Sequence, residues 1–315
     1  MANAKILITA GDPLGIGPEI TVKALRSTAA DGADLTVLGD TGALKAAGFR
    51  PGRAAFIPVD AAGLDFKKRG PNAAAGLASF KAVQLALKLI KRGGFSALVT
   101  APVSKEAWAL AGIPHTGHTE LFRSATGREP LMGFTAGKVR LALVTEHLSI
   151  KRVPGSITIA LVMRKALLFA GALKAAGTRN PAITLAALNP HAGDGGLLGI
   201  EELTVLKPAV SRLRARGLDI KGPLPADAAW REHLSGLSDG LLCLYHDQAL
   251  VPLKIIPGAA RTVHRTWGLP FIRTSPAHGT AFDIAGRDPA DAAGMKEAVK
   301  AAAERQRPHG CLKRI

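Results

Sequence analysis

The sequence is poor in cysteine and in aromatic side chains, and each shortage excludes a class of protein. Cys243 and Cys311 are its two cysteines, and neither belongs to a C-x-x-C pair. We therefore expect no disulfide framework and no thiolate zinc site. Cys243 lies in the apolar run LLCLY and is expected to be a small buried side chain. Aromatic residues make up 4% of the chain, which leaves few platforms for stacking single-stranded nucleic acid.

Long apolar runs are also lacking. Stretches such as residues 157–163 are far shorter than the roughly 20 residues that a membrane-spanning helix needs. The first residues, MANAKILITAGDP, have no long apolar core followed by a cleavage site, so they predict a first strand rather than a signal peptide. We expect a cytoplasmic protein.

Acidic side chains are scarce relative to basic ones, with 24 against 41 and a net charge of +17. A basic surface can bind nucleic acid, but the lysines and arginines are spread along the chain without dense blocks. We interpret the positive charge as an unspecialised basic surface, or as an electrostatic field that attracts anionic substrates.

The chain of 315 residues is somewhat long for one hydrophobic core, so two domains are expected. Short apolar runs alternate with amphipathic stretches, which favours an α/β fold with mostly parallel sheets. The predicted strands cover residues 5–9, 35–38, 97–101, 140–145, 183–188 and 241–245, and the predicted helices cover residues 18–27, 73–91, 157–176 and 201–216.

Polar clusters follow five of these strands. In parallel α/β folds, chemistry collects in the loops after the carboxyl ends of strands. Residues 11–19, 100–105, 146–147, 189–191 and 246–248 hold such positions. Folding alone does not account for five such clusters, so we expect a functional site there.

Three histidines from these clusters are candidate metal ligands. His147, His191 and His246 are distant in sequence, yet each follows a predicted strand. Three imidazoles leave an open coordination position, as a catalytic divalent metal requires. A single histidine is more often structural, but three at equivalent positions favour a metal. Asp194 and Asp247 are candidate extra ligands or orienting partners.

Three further segments offer contacts for an anionic substrate. His118 and Thr119 form one pair, although Thr119 could instead cap a helix. Lys254 ends an apolar run, where an exposed lysine with a buried stem is the alternative. Arg273 ends another apolar run, and its planar fork suits a phosphate or carboxylate.

Two segments rich in small residues are candidates for a nucleotide. Residues 11–19, GDPLGIGPE, form a turn that opens a helix, where glycines allow close approach of an anion. A tight strand-to-helix turn is the alternative. Residues 278–286, HGTAFDIAG, contain one acid, Asp283, which can accept hydrogen bonds from a ribose. A loop with a helix cap is the alternative there.

These motifs together resemble the 4-hydroxythreonine-4-phosphate dehydrogenases of pyridoxal phosphate biosynthesis. The match runs from about residue 6 to residue 286 and includes GDPLGIGPE, TAPVSK, GHTE, LNPHAGDGG, YHDQ with its downstream PLK, and GLPFIRTS…HGTAFDIAG. The family is part of a wider group of β-decarboxylating dehydrogenases that includes isopropylmalate dehydrogenase, whose members carry similar GDGIGPE and HGSAPDIAG segments.

The resemblance implies an isopropylmalate dehydrogenase-like fold of two α/β/α domains, with the active site in the cleft between them. Residues 1–128 and 258–315 would form a first domain that carries the nucleotide-binding segments. Residues 129–257 would form a second domain with the metal ligands and dimer contacts. It also implies a homodimer whose site is completed across the interface, a small phosphorylated substrate, and no nucleic-acid or membrane partner.

The activity implied is NAD-dependent oxidation of 4-phosphohydroxy-L-threonine at C3, followed by decarboxylation to 3-amino-2-oxopropyl phosphate. Asp283 beside the adenosine ribose would favour NAD, with NADP as the alternative. Zinc is the expected metal, with cobalt, nickel or magnesium as alternatives. Asp247 is the tentative general base, since it adjoins a metal ligand.

The family's site residues fall on positions of this chain. The metal ligands are the three histidines singled out above, and the substrate contacts are His118, Thr119, Lys254 and Arg273. The cofactor-binding residues are Gly11, Asp12, Gly15, Gly279 and Asp283.

The chain departs from the family pattern at two positions. His264 stands where the family has an asparagine that contacts the substrate, and Ala277 replaces a common acidic residue. Relatives with the same framework oxidise D-threonate or D-erythronate 4-phosphate, and His264 could mark such a shift. A branch that oxidises a terephthalate cis-dihydrodiol lacks GHTE and ranks lower. A binding protein without chemistry is a further alternative, against which the intact histidines argue.

Overall fold

The computed structural model describes residues 3–27 and 32–304, so Cys311 and the last residues of the expected first domain lie outside the described part. The strands are β1 (Ala4–Thr9), β2 (Ala33–Gly39), β3 (Ala55–Pro58), β4 (Ala97–Thr100), β5 (Leu131–Ala136), β6 (Val139–Leu143), β7 (Ile183–Ala186), β8 (Ile220–Leu224), β9 (Gly240–Cys243), β10 (Val263–Trp267) and β11 (Ile272–Pro276). The α-helices are α1 (Gly17–Leu25), α2 (Thr41–Ala46), α3 (Ala73–Lys91), α4 (Lys105–Leu110), α5 (His118–Thr126), α6 (Val153–Ser156), α7 (Ile159–Ala175), α8 (Lys207–Ala215), α9 (Ala226–Leu234), α10 (His246–Ile255) and α11 (Ala293–Ala303).

The chain divides into two compact units. The first comprises Met1–Pro130 and Ala260–Glu304, and the second contains Leu131–Ala259. The domain boundaries expected from the sequence, after residues 128 and 257, each lie two residues from these limits. The functions assigned to the two domains remain predictions.

The first unit has a largely parallel sheet in the order β3-β2-β1-β4-β11-β10. Its strands pair in parallel except for β10, which is antiparallel to β11. Successive residues of a strand face opposite sides of a sheet. Accordingly, Ile6 and Ile8 of β1 pack with Met295 of α11, whereas Leu7 packs on the other side with Val83 of α3. Helices therefore cover both faces, as buried parallel strands require.

The second unit has strands in the order β5-β6-β9-β7-β8. Here β5 and β6 are antiparallel, and the other neighbours are parallel. Helices α7, α9 and α10 contact these strands, and α7 also packs against α8. The α/β fold with mostly parallel pairing that the sequence predicts is confirmed.

Helix α3 has the bounds that the sequence predicts, residues 73–91. Asn72 caps it by accepting hydrogen bonds from the amides of Ala74 and Ala75. This helix is also long and apolar enough to cross a membrane by length and composition, as are α6 and α7 together with the preceding turn, although these are bent by 93°. The core helices of soluble proteins pass the same test, and α3 buries Ala82 and Ala86 beside Leu98 of the sheet.

The helix predicted at residues 201–216 is present over residues 201–215, but its first part is irregular. Glu202–Leu206 forms a π-helical turn, and α8 begins only at Lys207, with Pro208 in its first turn. Proline has no amide hydrogen to donate, so it disrupts the regular ladder, and a widened turn before it is one way to accommodate it. The position of Glu202 depends on this turn.

Candidate functional site

Two of the three predicted metal ligands lie together in the second unit. The ring centroids of His147 and His246 are 5.4 Å apart, with the planes inclined by 40°. His147 follows β6, and His246 begins α10 after β9. Hydrogen bonds from the amide of Val144 to the Cys243 carbonyl (2.8 Å) and from the amide of Thr145 to the Leu244 carbonyl (3.1 Å) extend the pairing beyond β6 and β9. The loops that carry the two histidines are thereby held side by side.

Asp247, the next residue of α10, lies against the ring of His246. Its Oδ1 is 2.6 Å from Nδ1 of His246. With the proton on Nδ1 donated to the carboxylate, Nε2 keeps its lone pair, which is the arrangement found when histidine binds a metal. Two imidazoles that bind one cation at about 2.1 Å have centroids roughly 5 Å apart. The two imidazoles are therefore spaced as two ligands of one divalent metal would be.

His191 lies in a different environment. It is exposed, and it starts a turn in which His191, Ala192 and Asp194 all have positive φ (51°, 56° and 43°). Within residues 3–27 and 32–304, no three histidine, cysteine or acidic side chains are close enough together to hold a metal ion. One chain thus brings together His147 and His246 and leaves His191 apart.

A buried arginine side chain lies in the first unit. Arg273 of β11 is 4% exposed and donates from Nη1 to Oγ1 of Thr266 (2.9 Å) and from Nη2 to Oγ1 of Thr100 (2.7 Å). Its Nη1 also lies 3.1 Å from Nδ1 of His264, and its guanidinium lies 5.5 Å from the ring centre of Phe122. Burial lowers the pKa of Arg273 to about 9. Its Nε is buried and has no hydrogen-bond partner in the described part of the chain.

His118 contacts Phe122, the same ring that the guanidinium of Arg273 contacts. Its ring centroid is 5.7 Å from that of Phe122 and 5.8 Å from that of Trp108. Burial, followed by the charge of Arg273, holds the pKa of His118 well below its usual value, so the imidazole is neutral at pH 7. Its Nε2 is buried and lacks a hydrogen-bond partner among the described residues.

The other proposed substrate contacts lie near helix ends. The alternative in which Thr119 caps a helix is wrong, because Gly117 is the N-cap of α5 and Thr119 lies in the first turn. Gly117 has φ 151°, a conformation that favours glycine. Lys254 is exposed in the last turn of α10, in the second unit.

The two glycine-rich segments contact each other within the first unit. The amide of Ile16 donates to the carbonyl of Thr280 (2.9 Å), and a Cβ on Gly15 would lie 2.8 Å from that same oxygen. Gly11 has φ +78°, and a Cβ there would collide with the Pro102 carbonyl. These two glycines are therefore required by contacts between backbone segments. By contrast, a Cβ on Gly279 would meet no described atom within 4 Å.

Two acids and one arginine complete this region. Asp12 is 0% exposed; its Oδ1 accepts from the amide of Leu14 (2.9 Å), and its Oδ2 finds no hydrogen-bond partner in the described ranges. Burial raises the pKa of Asp12 to about 6. Asp283 is exposed. Arg69 donates to the Leu14 carbonyl (3.2 Å) and packs on Gly286, so it ties the two segments together.

Sequence reasoning missed several of these residues. Thr266 follows His264 by two positions on β10, and it pairs in register with Arg273. The alternation of a strand could have placed both side chains on the face of the arginine. Thr100, at the end of β4, lies in the polar cluster predicted at residues 100–105, although that pattern assigns it no individual role. Nothing local indicated Arg69 or Glu202, because their roles depend on contacts distant in sequence.

Comparison with known proteins gives consistent results. The family model described as pyridoxal phosphate biosynthetic protein PdxA matches residues 20–302. A 4-hydroxythreonine-4-phosphate dehydrogenase from Caulobacter vibrioides is 38% identical over 96% of this chain and 98% of its own length. A D-threonate 4-phosphate dehydrogenase from Salmonella typhimurium is 37% identical over 96% of this chain and 99% of its own. A crystal structure of 4-hydroxythreonine-4-phosphate dehydrogenase from Klebsiella pneumoniae matches with a TM-score of 0.83 at 32% identity, over 96% of this chain and 98% of that one.

Proposed function

The chain belongs to the family of pyridoxal phosphate biosynthetic proteins PdxA, and from this membership we propose that it is a metal-dependent NAD oxidoreductase for a small phosphorylated substrate. The proposed reaction oxidises 4-phosphohydroxy-L-threonine at C3, and the resulting acid loses CO2 to give 3-amino-2-oxopropyl phosphate. This reaction serves pyridoxine 5'-phosphate biosynthesis in the cytoplasm. The observation that carries the proposal is the pair of His147 and His246 with Asp247 on the back of the second ring.

Arg273 is the proposed anchor for a substrate anion. A buried guanidinium with an unmatched donor is unfavourable until a charged partner arrives, and a phosphate or carboxylate supplies one. The neutral His118 beside it can donate or accept a hydrogen bond without adding a second buried charge. Thr119 and Lys254 are the further proposed contacts.

A homodimer completes the proposed metal site. His147 and His246 of one subunit would be joined by His191 of the other, since one chain leaves His191 apart from the pair. The surface beside His191 is apolar and exposed, with Leu197 85%, Leu198 48% and Ile200 59% accessible. Exposed apolar patches of this kind mark interaction surfaces. A second copy of the chain is the proposed occupant.

The proposed metal is zinc, with cobalt, nickel or magnesium as alternatives. A divalent cation held there would polarise the substrate hydroxyl and the carbonyl that forms from it. Asp247 keeps the proton on Nδ1 of His246. It is also the proposed general base, and because it lies on the side of that ring away from Nε2, it would receive the hydroxyl proton by way of a water. Its side chain is 67% exposed, so the proton can pass on to solvent.

The proposed nucleotide site lies at the segments around Gly11–Gly15 and Gly279–Asp283. A bound nicotinamide dinucleotide would accept the hydride. Gly279 leaves its Cβ side open for a flat group, and the exposed Asp283 can accept hydrogen bonds from a ribose. A carboxylate at that position repels a 2'-phosphate, so NAD is proposed over NADP. Asp12 supports the turn from its buried position.

Oxidation of D-threonate or D-erythronate 4-phosphate is a second candidate function. The observation that favours it is His264, which stands in place of the family's asparagine and lies 3.1 Å from Arg273. A guanidinium only donates, so Nδ1 of His264 must accept and Nε2 carries the hydrogen. An imidazole that presents this single N–H differs from an amide, which presents both a donor and an acceptor.

Absorbance at 340 nm tests the activity. The protein is incubated with NAD or NADP, a divalent metal and each of three substrates: 4-phosphohydroxy-L-threonine, D-threonate 4-phosphate and D-erythronate 4-phosphate. Metal-dependent formation of NADH with the first substrate supports the main proposal, and with either sugar acid alone it supports the second. If none of the three substrates yields reduced nucleotide and the protein does not bind NADH, the result would favour a protein that does not catalyse this oxidation.

A further inference from the structure

The turn that carries His191 has an unusual backbone. Six consecutive residues, His191 to Gly196, have positive φ, at 51°, 56°, 80°, 43°, 67° and 107°. Three of them are not glycine, and L-residues rarely adopt this left-handed conformation because the Cβ approaches the following carbonyl oxygen. Such strain persists only where the surroundings hold it.

Glu202 supplies the support on the side that precedes the turn. It is 0% exposed, and its Oε1 accepts hydrogen bonds from the amides of Leu188 and Asn189, both at 2.8 Å. Its Oε2 accepts from Nδ2 of Asn189 at 2.9 Å. One buried carboxylate thus binds two of the residues that join β7 to the turn.

The carboxylate of Glu202 also lies close to Gly193, in the middle of the turn. A Cβ on Gly193 would lie 2.7 Å from Oε2 of Glu202 and 3.0 Å from the carbonyl of Gly199. Beyond the turn, the amide of Leu198 donates to the carbonyl of Gly193 (3.2 Å). Glu202 therefore contacts the segment before the turn and the middle of the turn itself, while the side chain of His191 stays exposed.

We propose that Glu202 is a positioning residue for the metal site: its carboxylate fixes the left-handed turn so that His191 is presented outward as a preformed ligand. This inference rests on the proposed function, in which His191 binds a metal together with the histidine pair of a second subunit. Residues that orient metal ligands without touching the metal typically contribute 10–100-fold to affinity.

The test compares Glu202→Gln with Glu201→Gln in the full-length protein. Glu201 is the matched control, because it lies one position earlier and contacts the same side chain, through Nδ2 of Asn189 at 2.8 Å. Zinc affinity is measured by competition with a chromophoric chelator, and cobalt(II) absorption reports the ligand geometry. Melting temperature and light scattering check the fold and the dimer.

We expect Glu202→Gln to weaken zinc binding by about 10–100-fold and to change the cobalt spectrum, while Glu201→Gln leaves both unchanged. An unchanged zinc affinity in a folded Glu202→Gln dimer would overturn the positioning role and leave the proposed function standing. Wild-type protein that binds no divalent metal would instead overturn the metal site itself.

A second variant covers the case in which Glu202→Gln does not fold. Gly193→Ala keeps the carboxylate but places a methyl group against it, at a residue with φ +80°. We expect the same loss of zinc affinity from this variant. Wild-type affinity in Gly193→Ala would show that the turn does not set the ligand, and the proposal would fail.

Discussion

Nη1 of Arg273 lies 3.1 Å from Nδ1 of His264, and this contact fixes how the imidazole meets a ligand. Since arginine only donates, the remaining ring nitrogen of His264 bears the hydrogen. The proposed anion site of this chain therefore differs in its donor pattern from one built around an asparagine amide.

His264→Asn should shift substrate preference. The amide restores an acceptor beside the anchor, so we expect the ratio of kcat/KM for phosphohydroxythreonine to that for threonate 4-phosphate to rise by about tenfold or more. The measurement is steady-state kinetics on both substrates with each protein. An equal ratio before and after the substitution would show that this position does not select the substrate.

Arg273→Lys should raise KM for the phosphorylated substrate by about 10–100-fold, because a lysine cannot reproduce the hydrogen bonds of the guanidinium fork. Arg265→Lys is the matched control. Arg265 lies next to His264 on β10, faces the opposite side of the sheet and pairs with Glu304 at 3.0 Å. Similar changes in KM for both variants would mean that Arg273 has no specific role in binding the substrate anion.

Asp12 should make stability depend on pH. Its pKa is raised by burial from 3.8 to about 6, so the folded state favours the protonated form. Stability from this group is complete below pH 3.8 and is lost as the pH rises through about 6. Asp12→Asn removes the effect, so its free energy of unfolding relative to wild type should increase by up to about 3 kcal/mol between pH 4 and pH 7.

Urea denaturation at several pH values measures this difference. A difference between Asp12→Asn and wild type that stays constant from pH 4 to pH 7 would mean that Asp12 is ionised as easily in the folded chain as in the unfolded one. Fluorescence titration with NADH on the same variant also tests the role of Asp12 in the nucleotide turn.

Local patterns in the sequence predict much of this fold. Alternating apolar runs and amphipathic stretches indicate the parallel α/β architecture, and the amphipathic stretch of residues 73–91 gives the bounds of α3. Each candidate histidine follows a strand. The carboxyl ends of parallel strands form one edge of a sheet, so this pattern predicts that such histidines lie close together. The adjacency of His147 and His246 is a consequence of that topology.

The remaining features depend on contacts that no local pattern reveals. Glycines at 193 and 195 hint at a turn, but a left-handed conformation at Ala192 and Asp194 is maintained by tertiary contacts against the preference of the residues. The helix predicted at 201–216 gives no sign of the widened turn that begins at Glu202, whose carboxylate binds the amides of Leu188 and Asn189. The position of His191 relative to the histidine pair cannot be predicted from one chain if a second chain completes the site.

Complementation between inactive subunits tests the shared metal site most directly. His191→Ala and His147→Ala should each form folded dimers without metal-dependent turnover. In a mixed dimer, the His147 and His246 of one subunit meet the intact His191 of the other, so random mixing should restore about a quarter of wild-type activity. Mixing His147→Ala with His246→Ala should restore none, because both substitutions damage the same half of the site. Failure of the first mixture to recover activity, with mixed dimers confirmed by mass spectrometry, would contradict a metal held between His191 of one subunit and the histidine pair of another.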